Sequence, residues 1–353
     1  MKRRVAFVSV VPSPYQRDLF AALAQRPEID LSVYYLERSA PDSPWPEKAL
    51  TPYESILPGF WFPLRGARVH VNWRLPRPES YDILVVNTLM SITGQRLMRF
   101  LPPGKPWIFM GERLNAGGRA WHDYLTAPLH DANAIAAIGT WAERDYAHRF
   151  PEPKTFNLPY CCNLEPYFNQ ARHPQGDEIV FLFCGQMIRR KGVDLLLNAF
   201  ARLGHGRLLL VGREAELPSL LREFPTETRS RIEYINFQSP DALPTIFARA
   251  DVFVLPSRYD GWGVVVNQAI AAGLPVICSD QVGAGYDLVE DGINGIKFPA
   301  ANEDALAEAL QFFAEHPNSI LPWGAISQAK ARTLTPASMS ERWVSAIDQV
   351  LAA

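Results

Sequence analysis

Two loops of this 353-residue chain hold residue types and spacings suited to chemistry on a phosphorylated ligand. The first lies within Phe181–Phe200, FLFCGQMIRRKGVDLLLNAF. A strand ends at Gly185, a polar turn carries Arg189, Arg190 and Lys191, and Lys191-Gly192 opens an amphipathic helix. A pyrophosphate placed there would meet fixed cations and a helix N-terminus together. The second lies within Ala250–Pro299. An apolar strand, Val252–Leu255, runs into Pro256-Ser257 and then a carboxylate at Asp260. Gly261 and Gly263 next open an apolar helix carrying Gln268, and Gly273-Leu274-Pro275 stops it before a strand at Val276–Ser279. Glycines at a helix start let backbone N–H groups approach an anion. A solvated basic turn is the plainer reading of the cations taken alone; two such loops on one edge favour a ligand site.

Both loops must follow strands of one sheet, and the rest of the chain supplies that frame. Candidate strands in the first half are Val5–Val11, Leu31–Leu36, Ile83–Asn87, Trp107–Met110 and Ala134–Ile138. In the second half they are Ile179–Cys184, Arg207–Val211, Ile232–Asn236, Val252–Leu255 and Val276–Ser279. Most are continuous apolar runs, as expected of parallel strands buried on both faces. Helix-compatible segments near Val193–Arg202, Ala215–Glu223, Pro240–Arg249 and Gly263–Ala272 separate them, which implies right-handed βα units. Open α/β sheets bind ligands at the C-terminal ends of their strands, where both loops fall.

The length predicts two domains. A polar, proline-containing seam at residues 164–177 sets them as 1–164 and 165–336, with a helix-like segment from 337 to 353 that packs back towards the first. A net charge of −2 gives no reason to expect nucleic-acid binding. Cys161, Cys162, Cys184 and Cys278 have no zinc spacing and read as small buried hydrophobes of a protein inside the cell. The start, MKRRVAFVSVVPSPY, has an apolar run that ends at Pro12 and reads as a first strand. No run approaches the ~18 apolar residues of a membrane span.

At this point the sequence resembles the family 4 glycosyltransferases, strongly over residues 179–300 and weakly before them. The family's G-R-x-x-x-x-K-G loop corresponds to Gly185-Gln186-Met187-Ile188-Arg189-Arg190-Lys191-Gly192. Its E-x-F-G-x-x-x-x-E-A element corresponds to Asp260-Gly261-Trp262-Gly263-Val264-Val265-Val266-Asn267-Gln268-Ala269. Pro12-Ser13-Pro14-Tyr15 and the Leu158-Pro159-Tyr160 stretch also fit its layout. The resemblance implies the GT-B fold: two Rossmann-like α/β domains with parallel sheets facing across a cleft. It implies transfer of a sugar from a nucleotide-sugar to a hydroxyl of a glycan or lipid-linked acceptor, with retention of configuration, in surface polysaccharide assembly. The leaving diphosphate needs fixed cations and aimed N–H groups, so Lys191 is the expected cation, with Arg190 second, and the backbone of Gly261–Val264 the expected cradle. The resemblance implies that Asp260 sits by the donor sugar, and Lys191, Asp260 and Glu112 are the expected catalytic residues. Gly185, Gln186, Arg190, Lys191, Gly261, Trp262, Gly263, Val264 and Gln268 are the expected donor contacts. Three positions depart from the family pattern. Gln186 replaces an Arg, Asp260 a Glu, and Gln268 a Glu that would hold ribose hydroxyls. Gln268 lies about 7.5 Å along its helix from Gly263, away from the phosphates. No D-x-D motif is present and no metal or cofactor is expected.

The first domain is expected to hold the acceptor through Pro14, Tyr15 and Glu112, with Glu112 orienting a hydroxyl; a surface ion pair of Glu112 with Arg113 or Arg119 is the plainer alternative. Residues 55–78 contain no acid and set Phe60, Trp61, Phe62 and Trp73 among Arg65, Arg68, Arg74 and Arg77. That mixture suits an anionic membrane face, and a partly packed loop is the other reading. Two further readings stay open for the whole chain. One is a non-catalytic nucleotide-sugar-binding protein, which Gln186 and Gln268 would explain. The other is a GT-B epimerase, which should bring more acids and histidines to the site.

Overall fold

The computed structural model describes residues 2–39, 45, 47–64, 67–114, 120–170 and 178–353. The expected linker residues 171–177, together with Arg65 and Arg119, lie outside the described residues. The chain divides into two compact units: Met1–Cys162 with Pro336–Ala353, and Asn163–Thr335.

The first unit is built on a seven-stranded parallel sheet. Among its described residues the unit has nine strands: β1 Arg3–Ser9, β2 Ile29–Tyr35, β3 Glu54–Ile56, β4 Gly59–Leu64, β5 Ala67–Asn72, β6 Ile83–Asn87, β7 Trp107–Gly111, β8 Ala134–Ala137 and β9 Lys154–Asn157. Spatial order in the sheet is β3-β2-β1-β6-β7-β8-β9, and β4 and β5 form a separate antiparallel hairpin. The central strands are buried throughout: Ile83 to Val86 and Trp107 to Gly111 have almost no solvent exposure, because helices cover both faces. Strands β3, β4, β5 and β9 go beyond the sequence expectation. Each is short or half-exposed, so no continuous apolar run announces it. The helix Pro336–Leu351 belongs to this unit. Its Trp343 is fully buried and meets Phe7 of β1 edge-on at 5.1 Å, while Phe7 also packs on Phe20 of the helix Pro14–Ala24 at 5.0 Å. Burying an aromatic side chain of this size contributes about 3 kcal/mol, so the helix is a core element.

Among its described residues the second unit has six parallel strands: β10 Val180–Cys184, β11 Arg207–Val211, β12 Ile232–Ile235, β13 Val252–Leu255, β14 Val276–Ser279 and β15 Gly295–Phe298. Their order is β12-β11-β10-β13-β14-β15. The unit opens with Leu164 and Tyr167, both buried, and Tyr167 packs on Phe247 at 5.5 Å. Helix Val193–Leu203 buries Val193, Leu196, Leu197 and Phe200 against this sheet, the 3.6-residue stripe legible in the sequence.

In each sheet the winding direction reverses at one place, between β1 and β6 in the first and between β10 and β13 in the second. The connections leave such a switch point in opposite directions and open a crevice at the strands' C-terminal ends.

Candidate functional site

The second unit's switch point lies between the loops that follow β10 and β13, the two loops singled out by their residue types. After β10, the Gly185 N–H donates to Val211 O at 2.8 Å. Met187 is fully buried, donating to Arg213 O and accepting from the Glu216 N–H. That anchor leaves Gln186 half-buried at the edge. Residues Arg189–Lys191 form a 3₁₀ turn, and Gly192 follows with φ +73°. A Cβ at Gly192 would come within 2.0 Å of Pro256 O, so only glycine lets this loop close on the loop after β13.

The clamp between the loops is made of charged groups. The Arg258 N–H donates to Arg190 O at 2.9 Å, and the Arg190 guanidinium donates to Tyr259 O at 3.1 Å. The Arg258 guanidinium makes two parallel bonds to Asp194, 2.7 and 2.9 Å, and also reaches Arg189 O. Burial pushes the Asp194 carboxyl up, but the hydrogen bonds and charge of Arg258 outweigh it and hold the group below the usual carboxylate range. Arg258 and Asp194 were not singled out in the sequence. Their pairing joins residues 64 apart, and the only signal was a charge on each of the two loops.

Within this frame Lys191 and Asp260 meet. The Lys191 ammonium donates to Asp260 Oδ2, with side chains only 17% and 11% exposed. Asp260 is fixed by its own backbone, which donates to Gln281 O at 3.0 Å and accepts from the Gly283 N–H at 3.1 Å. Gly263, with φ +89°, turns the chain back against Leu255 and Val282. The helix begins at Val265 rather than Gly263 and carries Gln268 half-buried on its second turn. The structure therefore brings Gly185, Gln186, Lys191, Asp260, Gly261, Gly263, Val264 and Gln268 to one edge of one sheet. Arg190 is there too, but with one bond spent on the clamp. Trp262, expected here through its backbone, turns its ring inward. Its side chain is 1% exposed, and its indole N–H donates to Asn267 Oδ1 at 3.0 Å inside the unit, so only its backbone faces the loop. Ser257 was overlooked: it follows β13, is fully buried, and its hydroxyl has no partner among the described residues.

The cysteines near this edge are buried. Cys184 ends β10 near Lys191, yet burial pushes its thiol up to about 12. Burial does the same to Cys278 and Cys161, in keeping with small buried hydrophobes. Among the described residues no group of three or more His, Cys, Asp or Glu side chains is placed to hold a metal ion.

The first unit gathers its candidates at its own switch point. Pro14 is the first residue of helix Pro14–Ala24, where its missing N–H costs nothing. Tyr15 packs on Tyr160 at 4.8 Å and faces Trp45 at 6.2 Å. Burial first, then the Glu112 charge, hold the Tyr160 phenol well above its ordinary value. Glu112 follows β7 and is exposed; its backbone carbonyl accepts from Tyr146 Oη at 2.8 Å, and Arg113 stacks on Trp141 at 3.3 Å.

The stretch 55–78 is not free of acid in space. Arg68 is held by Glu37 at 2.8 and 3.1 Å and stacks on Trp61, so it faces inward as part of the hairpin. Arg74 and Arg77 are exposed. No helix among the described residues is long and apolar enough to cross a membrane.

Comparison with known proteins agrees with this geometry. The family described as glycosyl transferases group 1 matches residues 178–316. An uncharacterized glycosyltransferase of Methanocaldococcus jannaschii is 29% identical over 44% of this chain and 40% of its own length. The chain thus spans well under half the length of the curated relatives it matches. Among solved structures, sucrose-phosphate synthase from Thermosynechococcus elongatus superposes with TM-score 0.78 at 21% identity, covering 99% of this chain and all of that one. Anabaena HepE in complex with UDP gives 0.74 at 14% identity, covering 99% of this chain and all of that one. Residues 178–316 are thus similar to the glycosyl transferases group 1 family, and the two parallel-sheet α/β units have the GT-B fold.

Proposed function

We propose that the protein is a retaining glycosyltransferase. It moves a sugar from a nucleotide-sugar to a hydroxyl of a glycan or lipid-linked acceptor, in surface polysaccharide assembly at the inner face of the membrane. Membrane contact is made through residues 55–78. The observation that carries the reading is the Lys191–Asp260 pair at the switch point of the second unit, walled by backbone that glycines allow to approach. A diphosphate there would draw on the two Lys191 protons that Asp260 leaves over. An ammonium held in place by a carboxylate meets the negative charge of the leaving group without reorganising. Asp260 also stands where a donor sugar attached to that diphosphate would lie. Gln268, further along its helix, has one acceptor and two donor sites for ribose hydroxyls.

The sugar–phosphate bond breaks, the acceptor oxygen bonds to the anomeric carbon on the same face, and the acceptor proton passes to the departing phosphate. No separate base and no metal are required. Pro14, Tyr15 and Glu112 of the first unit bind the acceptor, with Glu112 accepting a hydrogen bond from its hydroxyl. The UDP held by the Anabaena relative supports a nucleotide-sugar donor.

The test is turnover against a panel of uridine, guanosine and adenosine diphosphate sugars, with nucleoside diphosphate binding followed by calorimetry. Release of nucleotide coupled to a new glycosidic bond supports the reading. Tight nucleotide binding without turnover would instead make the chain a nucleotide-sugar-binding protein. No binding by any member of the panel overturns both.

A further inference from the structure

We propose that the first unit holds a headgroup site for an anionic phospholipid at the base of hairpin β4–β5, and that the hairpin seats this site on the bilayer surface. The inference deepens the membrane contact proposed above and rests on it.

A cavity of about 360 Å³ opens beside the edge strand β3. Arg74, Arg77, Ser55, Ser80 and the hydroxyl pair of Tyr34 and Tyr81 lie in its lining. Arg74 and Arg77 are both exposed, and among the described residues neither is in an ion pair. Arg68, by contrast, is already satisfied by Glu37. Glu79 sits on the adjoining turn but not in the lining, so the cavity carries positive charge with no acid inside it. Two guanidinium forks over hydroxyls match the oxygens of a phosphodiester. The tyrosine pair spends one of its two protons on itself and keeps the other to donate. Burial pushes the Tyr34 phenol up to about 12, so it stays protonated at neutral pH.

Two features favour a lipid over free phosphate. Leu57, Pro58 and Leu75 add apolar lining to the cavity, which suits a glycerol backbone and the first methylenes of its chains. The cavity is also tied directly to an apolar surface. The Trp73 N–H donates to Pro58 O at 3.2 Å, and Trp73, the chain neighbour of Arg74, is 59% exposed. Strand register sets Phe60, Phe62 and Leu64 on one hairpin face with Val71 and Val69. Phe60 and Leu64 at its ends are 58% and 53% exposed. Trp and Phe beside Arg settle at the headgroup level of a bilayer, with the rings in the acyl boundary and the cation at the phosphate. A soluble anion would use the arginines and leave these rings in water.

The test is co-sedimentation of the full chain with vesicles of phosphatidylcholine alone and with phosphatidylglycerol added. The parent is expected to bind the anionic vesicles, and to do so more weakly as salt is raised. The Arg74→Gln/Arg77→Gln double variant should bind them about thirty-fold more weakly. A Phe60→Ser/Trp73→Ser double variant should weaken binding at high and low salt alike. All four side chains are exposed, so unchanged affinity for a nucleoside diphosphate and an unchanged melting temperature certify the fold. Equal vesicle binding by the arginine variant and its parent overturns the headgroup site while leaving a membrane contact standing. No parent binding to either vesicle overturns both. Saturable binding of inorganic phosphate at Arg74 and Arg77 without vesicle binding assigns the cavity to a soluble anion and overturns the lipid.

Discussion

Replacing Lys191 with alanine removes the ammonium and strands its partner. The pair is mostly out of water, with 17% and 11% of the two side chains exposed. Two effects then act on a diphosphate at the site. The first is loss of a fixed charge aimed at the leaving group, which typically lowers rate by about 10²–10³, or ~2.7–4 kcal/mol. The second is an uncompensated Asp260 carboxylate. At ~5 Å and an effective dielectric of ~20 it repels a phosphate charge by about 3 kcal/mol. The effects separate in a double variant: Lys191→Ala/Asp260→Asn keeps the first loss and relieves the second. Nucleoside diphosphate titration by calorimetry should show Lys191→Ala binding weakest, the double variant recovering about tenfold or more, and the parent tightest. Transfer rates should stay at least a hundredfold below the parent in both. A folded Lys191→Ala protein with near-parent kcat/KM would show that Asp260 holds an ordinary ion pair and that the diphosphate lies elsewhere.

Gln268→Glu should be tolerated and should tighten nucleoside diphosphate binding, because the side chain is half-buried and has access to water. A melting temperature lowered by many degrees, or weaker nucleotide binding, would place Gln268 in the packing instead of the site. Asp194→Asn should lower stability by about 1.5–3 kcal/mol at pH 7, by breaking the charged bonds to Arg258. The sign with pH follows from the depressed carboxyl of Asp194. Its contribution is present above the unfolded value of about 3.9 and is lost as pH falls through the lower folded value. Urea midpoints of parent and variant should therefore converge below about pH 4; a constant gap from pH 7 to pH 3 would contradict the Arg258 assignment.

The parts of the fold legible in the sequence were those with a local cause. Strands such as Phe181–Cys184 and Val252–Leu255 are unbroken apolar runs because a parallel sheet is covered on both faces. Lys191, Asp260 and the glycines between them were legible because their spacing sits at strand ends. What pairing over distance decides was not legible. The Arg258–Asp194 clamp joins residues 64 apart, and the Arg68–Glu37 bond joins residues 31 apart. The latter turned a seemingly acid-free stretch into a partly neutralised one. Trp262 sits within the motif, but its ring is drawn inward by Asn267, a choice the one-dimensional pattern does not contain. The hairpin escaped notice because its exposed aromatics break the alternation that marks a half-buried strand.

The chain leaves the first unit at Cys162 and returns to it only at Pro336. Trp343, the aromatic that closes the face of β1 beside Phe7, is thus made only after the whole second unit. At a synthesis rate of ~5–20 residues per second, the unit begun first waits roughly ten to thirty seconds for its final helix. The second unit is one unbroken stretch and has no such wait. Order of synthesis and order of completion are therefore reversed. Until the helix arrives, Phe7 and Phe20 have no aromatic cover on that side. A nascent chain that ends before Pro336 would leave the first unit with this face of β1 open.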